Sequence, residues 1–353
     1  MATEDARYRQ SSQFRLWSFS PNGLQELRQK TNSLAKQQIA PRLAADPPPE
    51  PLTVEEELEL VKFYTVELLR AAEFIKLPTD SRSTAAIFLR RFYITNSIMT
   101  YPPTELLKTC LFFGCKADGV YYPLAQLAKM FPDTTSEQIL AGEYLLCQGL
   151  RFAFDVRHPL RSLEGAILQL RKELPEEERR IQRAHARTRE ILKFSPLMTD
   201  AYFHYTPSQI MMAAMLMVDA ELVDQLLPPD IPMDDQDTAR ATGIHSTLRG
   251  KIMTALESCR AMLEEERPER MKEYWGVPDN VKHLKPLRRR LKHSRDPDRA
   301  DLVALQKARR DYAAQKEKKT EDGNDGAVFG EAELRDAKRR KVEKQDDVFG
   351  PAL

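Results

Sequence analysis

Two hexamers constrain the fold of this chain more than any other feature. Tyr101-Pro102-Pro103-Thr104-Glu105-Leu106 and Tyr205-Thr206-Pro207-Ser208-Gln209-Ile210 lie 104 residues apart. Each opens a strongly apolar segment, ending near Lys116 in one case and Val218 in the other. Proline suits the first helical turn, where its missing N–H has no partner to lose. A helix that is apolar nearly all round has to be buried. The spacing is far too long for a solenoid repeat. It predicts two similar all-helical domains in tandem, each with a third helix buried at its centre.

The rest of the chain agrees. Thr53 and Glu56 have capping-box spacing, and Val54, Leu58, Val61, Leu68 and Ile75 follow at helical spacing. Pro78-Thr79-Asp80 ends that helix, and Ala85 to Ile94 reads as a central, buried one. A third runs from Pro103 to Lys116, and a short fourth from Leu124 to Phe131. Thr134 and Glu137 form a second candidate capping box ahead of a helix from Ser136 to Gln148. The pattern restarts around Arg157-His158-Pro159, with helices expected near 160–174, 177–195, 207–222 and 244–266. Alternation of period two is confined to runs such as Phe152-Ala153-Phe154, too short to build a sheet. Only 13 glycines are present, and hairpins and phosphate loops consume glycine.

The expected fold is therefore all-α: two tandem five-helix repeats flanked by N- and C-terminal helices, with a disordered basic C-terminal tail. Residues 1–50 form an N-terminal arm and Pro-rich linker, 51–156 the first repeat, 157–266 the second, and 267–353 the C-terminal helix and tail. The linker is Asp46-Pro47-Pro48-Pro49-Glu50-Pro51.

Charge and composition exclude several classes of function. Net charge is +1, but from Lys282 onward there are 20 basic and 14 acidic residues, so a slightly acidic body carries a basic end. The body lacks the basic face that a nucleic-acid binder sets against phosphates. Cys110, Cys115, Cys147 and Cys259 include no C-x-x-C pair and read as free thiols, not as a zinc site or a disulfide framework. The six histidines lack metal-ligand spacing and read as surface or capping residues. Dinucleotide, phosphate-loop, zinc-protease and nucleophile-elbow motifs are missing. An interaction protein is expected rather than an enzyme, with no metal. Met1 to Gln10 is polar and does not read as a targeting segment. The longest apolar run, Ile210 to Val218, has nine residues, whereas about 20 are needed to cross a bilayer. No membrane association is expected.

Two helical domains of this size, each with a buried third helix, match the cyclin-box architecture, and particular segments sharpen the match. Thr109-Cys110-Leu111-Phe112-Phe113-Gly114-Cys115-Lys116-Ala117-Asp118 resembles the end of cyclin helix 3. Glu143-Tyr144-Leu145-Leu146-Cys147-Gln148-Gly149-Leu150-Arg151-Phe152 resembles cyclin helix 5. Ser11 to Ser20, Arg91 to Met99, Leu197 to Tyr202 and Tyr205 to Ile210 are similar to one branch of that family, the regulatory subunits of the CDK-activating kinase. The resemblance covers residues 11 to 315.

The resemblance implies that the chain binds a cyclin-dependent kinase and pushes its C helix inward, completing the catalytic Lys–Glu pair and freeing the activation segment. It implies as partners the kinase catalytic subunit, the RING-finger assembly factor of the CDK-activating kinase and core transcription factor IIH. The substrates would be the RNA polymerase II C-terminal repeats and other cyclin-dependent kinases. No cofactor is implied on this chain, since ATP and magnesium belong to the kinase, and no direct nucleic-acid binding is expected. Two alternatives remain open at this point: another transcriptional cyclin of the C or K type, or a DNA-binding cyclin-box protein like the core of transcription factor IIB.

Residue by residue, the resemblance places Lys116 and Glu143 against the kinase C helix, where truncating a buried, hydrogen-bonded interfacial charge costs about 2–5 kcal/mol. Phe112, Phe113, Leu146 and Leu150 share those helices and are candidate kinase contacts, although periodicity does not separate contact from core. The Met211, Met212, Met215 and Met217 cluster reads as core of the second repeat, not as a binding groove. Phe14, Trp17 and Phe19 are the expected anchors of an N-terminal helix that packs, with a C-terminal helix from Arg299 to Lys316, against the first repeat. Lys338-Arg339-Arg340-Lys341 reads as a nuclear localisation signal. Three departures stand out. Gly119 replaces a second acid, the M-R-A-I-L docking patch of cell-cycle cyclins is absent between Thr53 and Ile75, and Arg90 stands where those cyclins carry an Asp. A charge-swapped pair between Arg90 and Glu56, Glu57 or Glu59 is the resulting expectation.

Overall fold

A computed structural model describes residues 4–43, 49–228, 248–276 and 278–321. Among them every regular element is helical. The chain divides into Met1–Val303 and Ala304–Leu353. The described part of the second unit, residues 304–321, is helical.

The N-terminal arm comprises α1 (Glu4–Gln10), α2 (Ser12–Trp17) and α3 (Pro21–Ile39). Serine hydroxyls start the latter two. Ser11 accepts from Phe14 N–H and Ser20 from Gly23 N–H, both at 3.2 Å, each satisfying an orphan donor of the first turn.

The first repeat consists of α4 (Val54–Phe74), α5 (Thr79–Thr95), α6 (Pro103–Ala117), α7 (Leu124–Lys129), α8 (Ser136–Ala141) and α9 (Glu143–Gly149). The Thr53/Glu56 capping box is complete on both sides. The second box is shifted by one residue from the expected one: Thr135 and Gln138 form it, not Thr134 and Glu137. The expected helix from Ser136 to Gln148 is broken at Gly142. Thr109 Oγ1 donates to the Ile139 carbonyl at 2.8 Å, taking an acceptor that would continue the ladder. A Cβ on Gly142 would stand 2.6 Å from that same hydroxyl.

At the centre lies α5, buried over Ala85–Ile94 as expected, and it carries two arginines inside the body. It approaches α6 closely because Gly114 has no side chain; a Cβ there would meet Ala85 Cβ at 3.0 Å.

The second repeat contains α10 (Pro159–Glu173), α11 (Glu178–Leu192), the one-turn α12 (Ser195–Met198) and α13 (Ala201–His204), then α14 (Pro207–Leu216), α15 (Ala220–Leu226) and α16 (Leu248–Glu265). The hexamers open α6 and α14 alike, but only the second is side-chain capped, by Thr206 with Gln209. Met211 and Met215 are buried in α14, which makes the methionine cluster core, while Met212 and Met217 are half-buried.

Further on come α17 (Arg270–Gly276), α18 (Pro278–His293) and α19 (Leu302–Glu321). The chain returns to the first repeat earlier than the expected Arg299. Arg290 of α18 binds Glu56 at 2.5 Å, Arg288 lies 5.2 Å over the Phe63 ring, and Asp296 N–H donates to Met99 at 2.9 Å. Leu284, Leu287 and Leu291 supply the buried stripe of α18, so its amphipathic face drives this packing.

Candidate functional site

Lys116 ends α6 and Glu143 begins α9. The cation thus sits at a helix C-terminus and the carboxylate at an N-terminus, each favoured by the local dipole. The crossing of the helices brings them together, and Lys116 Nζ donates to Glu143 Oε1. The pair is open to solvent on the lysine side, with the Lys116 side chain 50% exposed and Glu143 21%. The ammonium also lies 5.5 Å from the Phe112 ring centre and 5.8 Å from that of Phe113. An ion pair of this exposure contributes at most about 1 kcal/mol to stability. Chemically, the pair sets a donor and an acceptor side by side over the Phe112 and Phe113 rings, open to solvent on the lysine side.

The surrounding residues divide sharply. Phe112 is half-buried and Phe113 is 8% exposed. Leu146 and Leu150 are fully buried and belong to the core. Periodicity did not single out the exposed apolar groups of the same segment. Tyr144 is 55% exposed and Phe152 61%, and both lie in the segment from Glu143 to Phe152. Cys147 is half-buried on the same helix, and burial, then the Glu143 carboxylate, push its thiol up, away from reactivity.

Trp17 and Phe19 pack at the junction of both repeats rather than on the first alone, whereas Phe14 packs within the arm. Trp17 is wholly buried in a cluster with Leu24, Ile94, Ala153 and Phe203, and Phe19 packs against it. Phe19 N–H donates to the Phe203 carbonyl at 2.8 Å. Phe14 is half-buried with its ring edge on Tyr8 at 5.6 Å.

Arg90 does not pair with helix α4. Its guanidinium donates to Asp200 at 2.7 Å and to the carbonyls of Leu197 and Thr199. Glu56 pairs instead with Arg290, and Glu57 accepts from Ser97 Oγ. His158 holds the N-cap position of α10, in line with the capping expectation, and is half-buried. It bridges Thr84 and Tyr202 at 2.9 Å on each ring nitrogen, and burial, then Arg91, holds it down to about 3. A cleft of about 550 Å³, whose lining includes Glu59, Lys62, Arg90, Asp200, Glu266 and Tyr274, lies away from the Lys116–Glu143 pair. Two ion pairs form within it, Lys62 to Glu266 at 2.8 Å and Arg90 to Asp200. The basic cluster Lys338, Arg339, Arg340 and Lys341 lies outside the described residues. No helix among the described residues is long and apolar enough to cross a membrane.

Two tandem helical repeats, a central buried helix and a Lys–Glu pair joining the end of α6 to the start of α9 define a cyclin-box protein. Known proteins agree. The Cyclin C-terminal domain model matches residues 158–264. Cyclin mcs2 of Schizosaccharomyces pombe is 33% identical over 220 residues, covering 59% of this chain and 68% of that protein. A chain in the structure of the CAK complex from Chaetomium thermophilum bound to ATP-γ-S is 49% identical, with a TM-score of 0.80, over 94% of this chain and 100% of that one. A chain of the yeast TFIIK (Kin28/Ccl1/Tfb3) complex is 28% identical, with a TM-score of 0.57, over 72% of this chain and 100% of that one. The match to cyclin CCL1 of Saccharomyces cerevisiae, 31% identical, takes in 65% of this chain and 62% of that protein's length. The chain belongs to the cyclin family, of the cyclin H type.

Proposed function

We propose that this chain is the regulatory subunit of a CDK-activating kinase within transcription factor IIH. It binds the kinase through the Lys116–Glu143 face and positions the kinase C helix and activation segment. The complex phosphorylates the RNA polymerase II C-terminal repeats and other cyclin-dependent kinases. The observation that carries this reading is the geometry of the pair. It is accessible, set over Phe112 and followed by exposed Tyr144, whereas the Arg90–Asp200 pair is turned inward. Phe112, with Phe113 behind it, supplies the apolar floor of the contact. The likeness to chains of the CAK and TFIIK complexes supports the same partner class, and the Tfb3 of the latter supports a RING-finger third subunit. Residence in the nucleus follows from that assignment, with Lys338 to Lys341 as the proposed import signal.

The test is to add the full chain to a purified transcription-associated cyclin-dependent kinase and follow phosphorylation of a polymerase repeat peptide. Stimulation is expected. No stimulation together with salt-sensitive binding to duplex DNA would move the chain to the transcription factor IIB-like class.

A further inference from the structure

Helix α9 ends in an unusual way. Phe152 N–H donates to the Cys147 carbonyl at 2.9 Å and Arg151 N–H to Gln148 at 2.8 Å, the paired bonds of a Schellman stop. Glycine normally occupies the left-handed position of that motif. Here Arg151 and Phe152 are both left-handed, at φ 53° and 54°, a conformation disfavoured for residues with a Cβ. Such a backbone persists only where its surroundings over-determine it.

Trp17 supplies those surroundings. The Arg151 guanidinium lies 5.4 Å from its ring centre and that of Arg91 5.2 Å, while the indole itself is wholly buried. Ala153 belongs to the same apolar cluster as Trp17. The residues on both sides of Phe152 are thus fixed by the arm, and Phe152 between them is 61% exposed. Its ring edge meets Phe154 at 6.4 Å, Phe154 meets Phe113 at 4.9 Å, and Phe113 lies under Lys116. An unbroken aromatic row therefore links the turn held by the arm to the Lys116–Glu143 pair.

We propose that Trp17 is a positioning residue, which locks the Arg151–Phe152 turn so that Phe152 projects as an aromatic anchor onto the kinase. This rests on the kinase-binding reading above. It assigns the N-terminal arm a route to the kinase that needs no direct contact by the arm. Aromatic anchors that fill a partner's pocket and become desolvated there are among the residues that carry most of an interface's energy.

The experiment measures affinity of the full chain for the purified kinase subunit of a CAK complex. The variants are Phe152→Ala, Arg151→Ala, Trp17→Leu, Lys116→Ala and the Arg151→Ala/Phe152→Ala pair, each with its melting temperature. Phe152→Ala is expected to weaken binding about tenfold or more. Trp17→Leu and Arg151→Ala are each expected to weaken it about threefold or more, and Arg151→Ala to add nothing once Phe152 is gone. Arg151 is not in the core, so its variant remains informative if Trp17→Leu fails to fold. A merely structural role would lower the melting temperature and leave the two effects additive; additivity would overturn the proposal. Normal binding by Phe152→Ala beside impaired binding by Lys116→Ala would sink this inference alone. Normal binding by both variants would sink the kinase-face reading with it.

Discussion

Arg90 of the first repeat and Asp200 of the second meet at 2.7 Å, and Arg28 of the arm closes on the same carboxylate with two bonds of 2.7 and 2.8 Å. Three parts of the chain are joined at one acid. Asp200→Ala is expected to cost about 3–5 kcal/mol, because it leaves the buried Arg90 unpaired. Chemical denaturation of the variant against the parent measures this.

The same carboxylate sets the acid limit. Burial works against its charged form, but the Arg28 and Arg90 guanidiniums overcome it and hold the carboxyl below its ordinary 3.8. A folded value below the unfolded one gives stability that is present above the unfolded value and lost as pH falls through the folded one. Stability of the parent is expected to drop below about pH 4, with a shallower acid slope in Asp200→Asn.

Glu57 acts in the opposite sense. Burial raises it from 4.5 to about 7, only partly offset by the Ser97 hydroxyl and Asn32. The folded state then holds the proton that the unfolded state releases, so stability falls as pH rises from 4.5 to about 7. Glu57→Gln is expected to flatten that slope and to raise the melting temperature at pH 8 by an amount equivalent to about 1–3 kcal/mol. Melting curves between pH 5 and 8 decide it; equal slopes in the two proteins would contradict the assignment.

Two glycines make a controlled contrast. A Cβ on Gly149 would lie 2.3 Å from the Phe92 ring, whereas one on Gly165, in the interior of α10, meets nothing within 4 Å. Gly149→Ala is expected to destabilise by about 1–3 kcal/mol and Gly165→Ala to stabilise by about 0.5–1 kcal/mol. Denaturation midpoints read both signs.

Core and contact separate in the same way around the proposed kinase face. Leu146→Ala is expected to cost about 2–5 kcal/mol of stability, as a fully buried leucine does. Phe112→Ala is expected to lose kinase affinity with a smaller loss of stability, since Phe112 is only half-buried. Paired melting and binding measurements on the two variants test the division.

Much of this was legible in the residues. Local chemistry marked the helices: Thr53 with Glu56, proline at the first turns of α6 and α14, and a largely apolar stretch in α5, broken only by Arg90 and Arg91. The second capping box slipped by one place because threonines stand side by side at 134 and 135, and the spacing to Glu137 or Gln138 fits either. The Lys116–Glu143 pair followed from resemblance alone, since the separate positions are ordinary helix-end charges. Arg90 to Asp200 was illegible because it spans 110 residues and depends on how the two repeats meet. Glu56 and Glu57 were nearer in sequence and of the right sign, but α18 and Ser97 claim them. Periodicity also placed Leu146 and Phe112 on helices without saying which side turns inward. On α6 that choice is made by Phe113, which packs against Phe88 of α5 and against Phe154.

The proposed kinase contact centres on the Lys116–Glu143 face. The most direct test is kinase affinity and stimulation by the parent and by Lys116→Ala/Glu143→Ala, with melting temperatures recorded for both. An exposed pair adds little to stability, so an unchanged melting temperature with affinity at least tenfold weaker and stimulation largely lost is predicted. Full affinity and stimulation in the variant would contradict the proposed face.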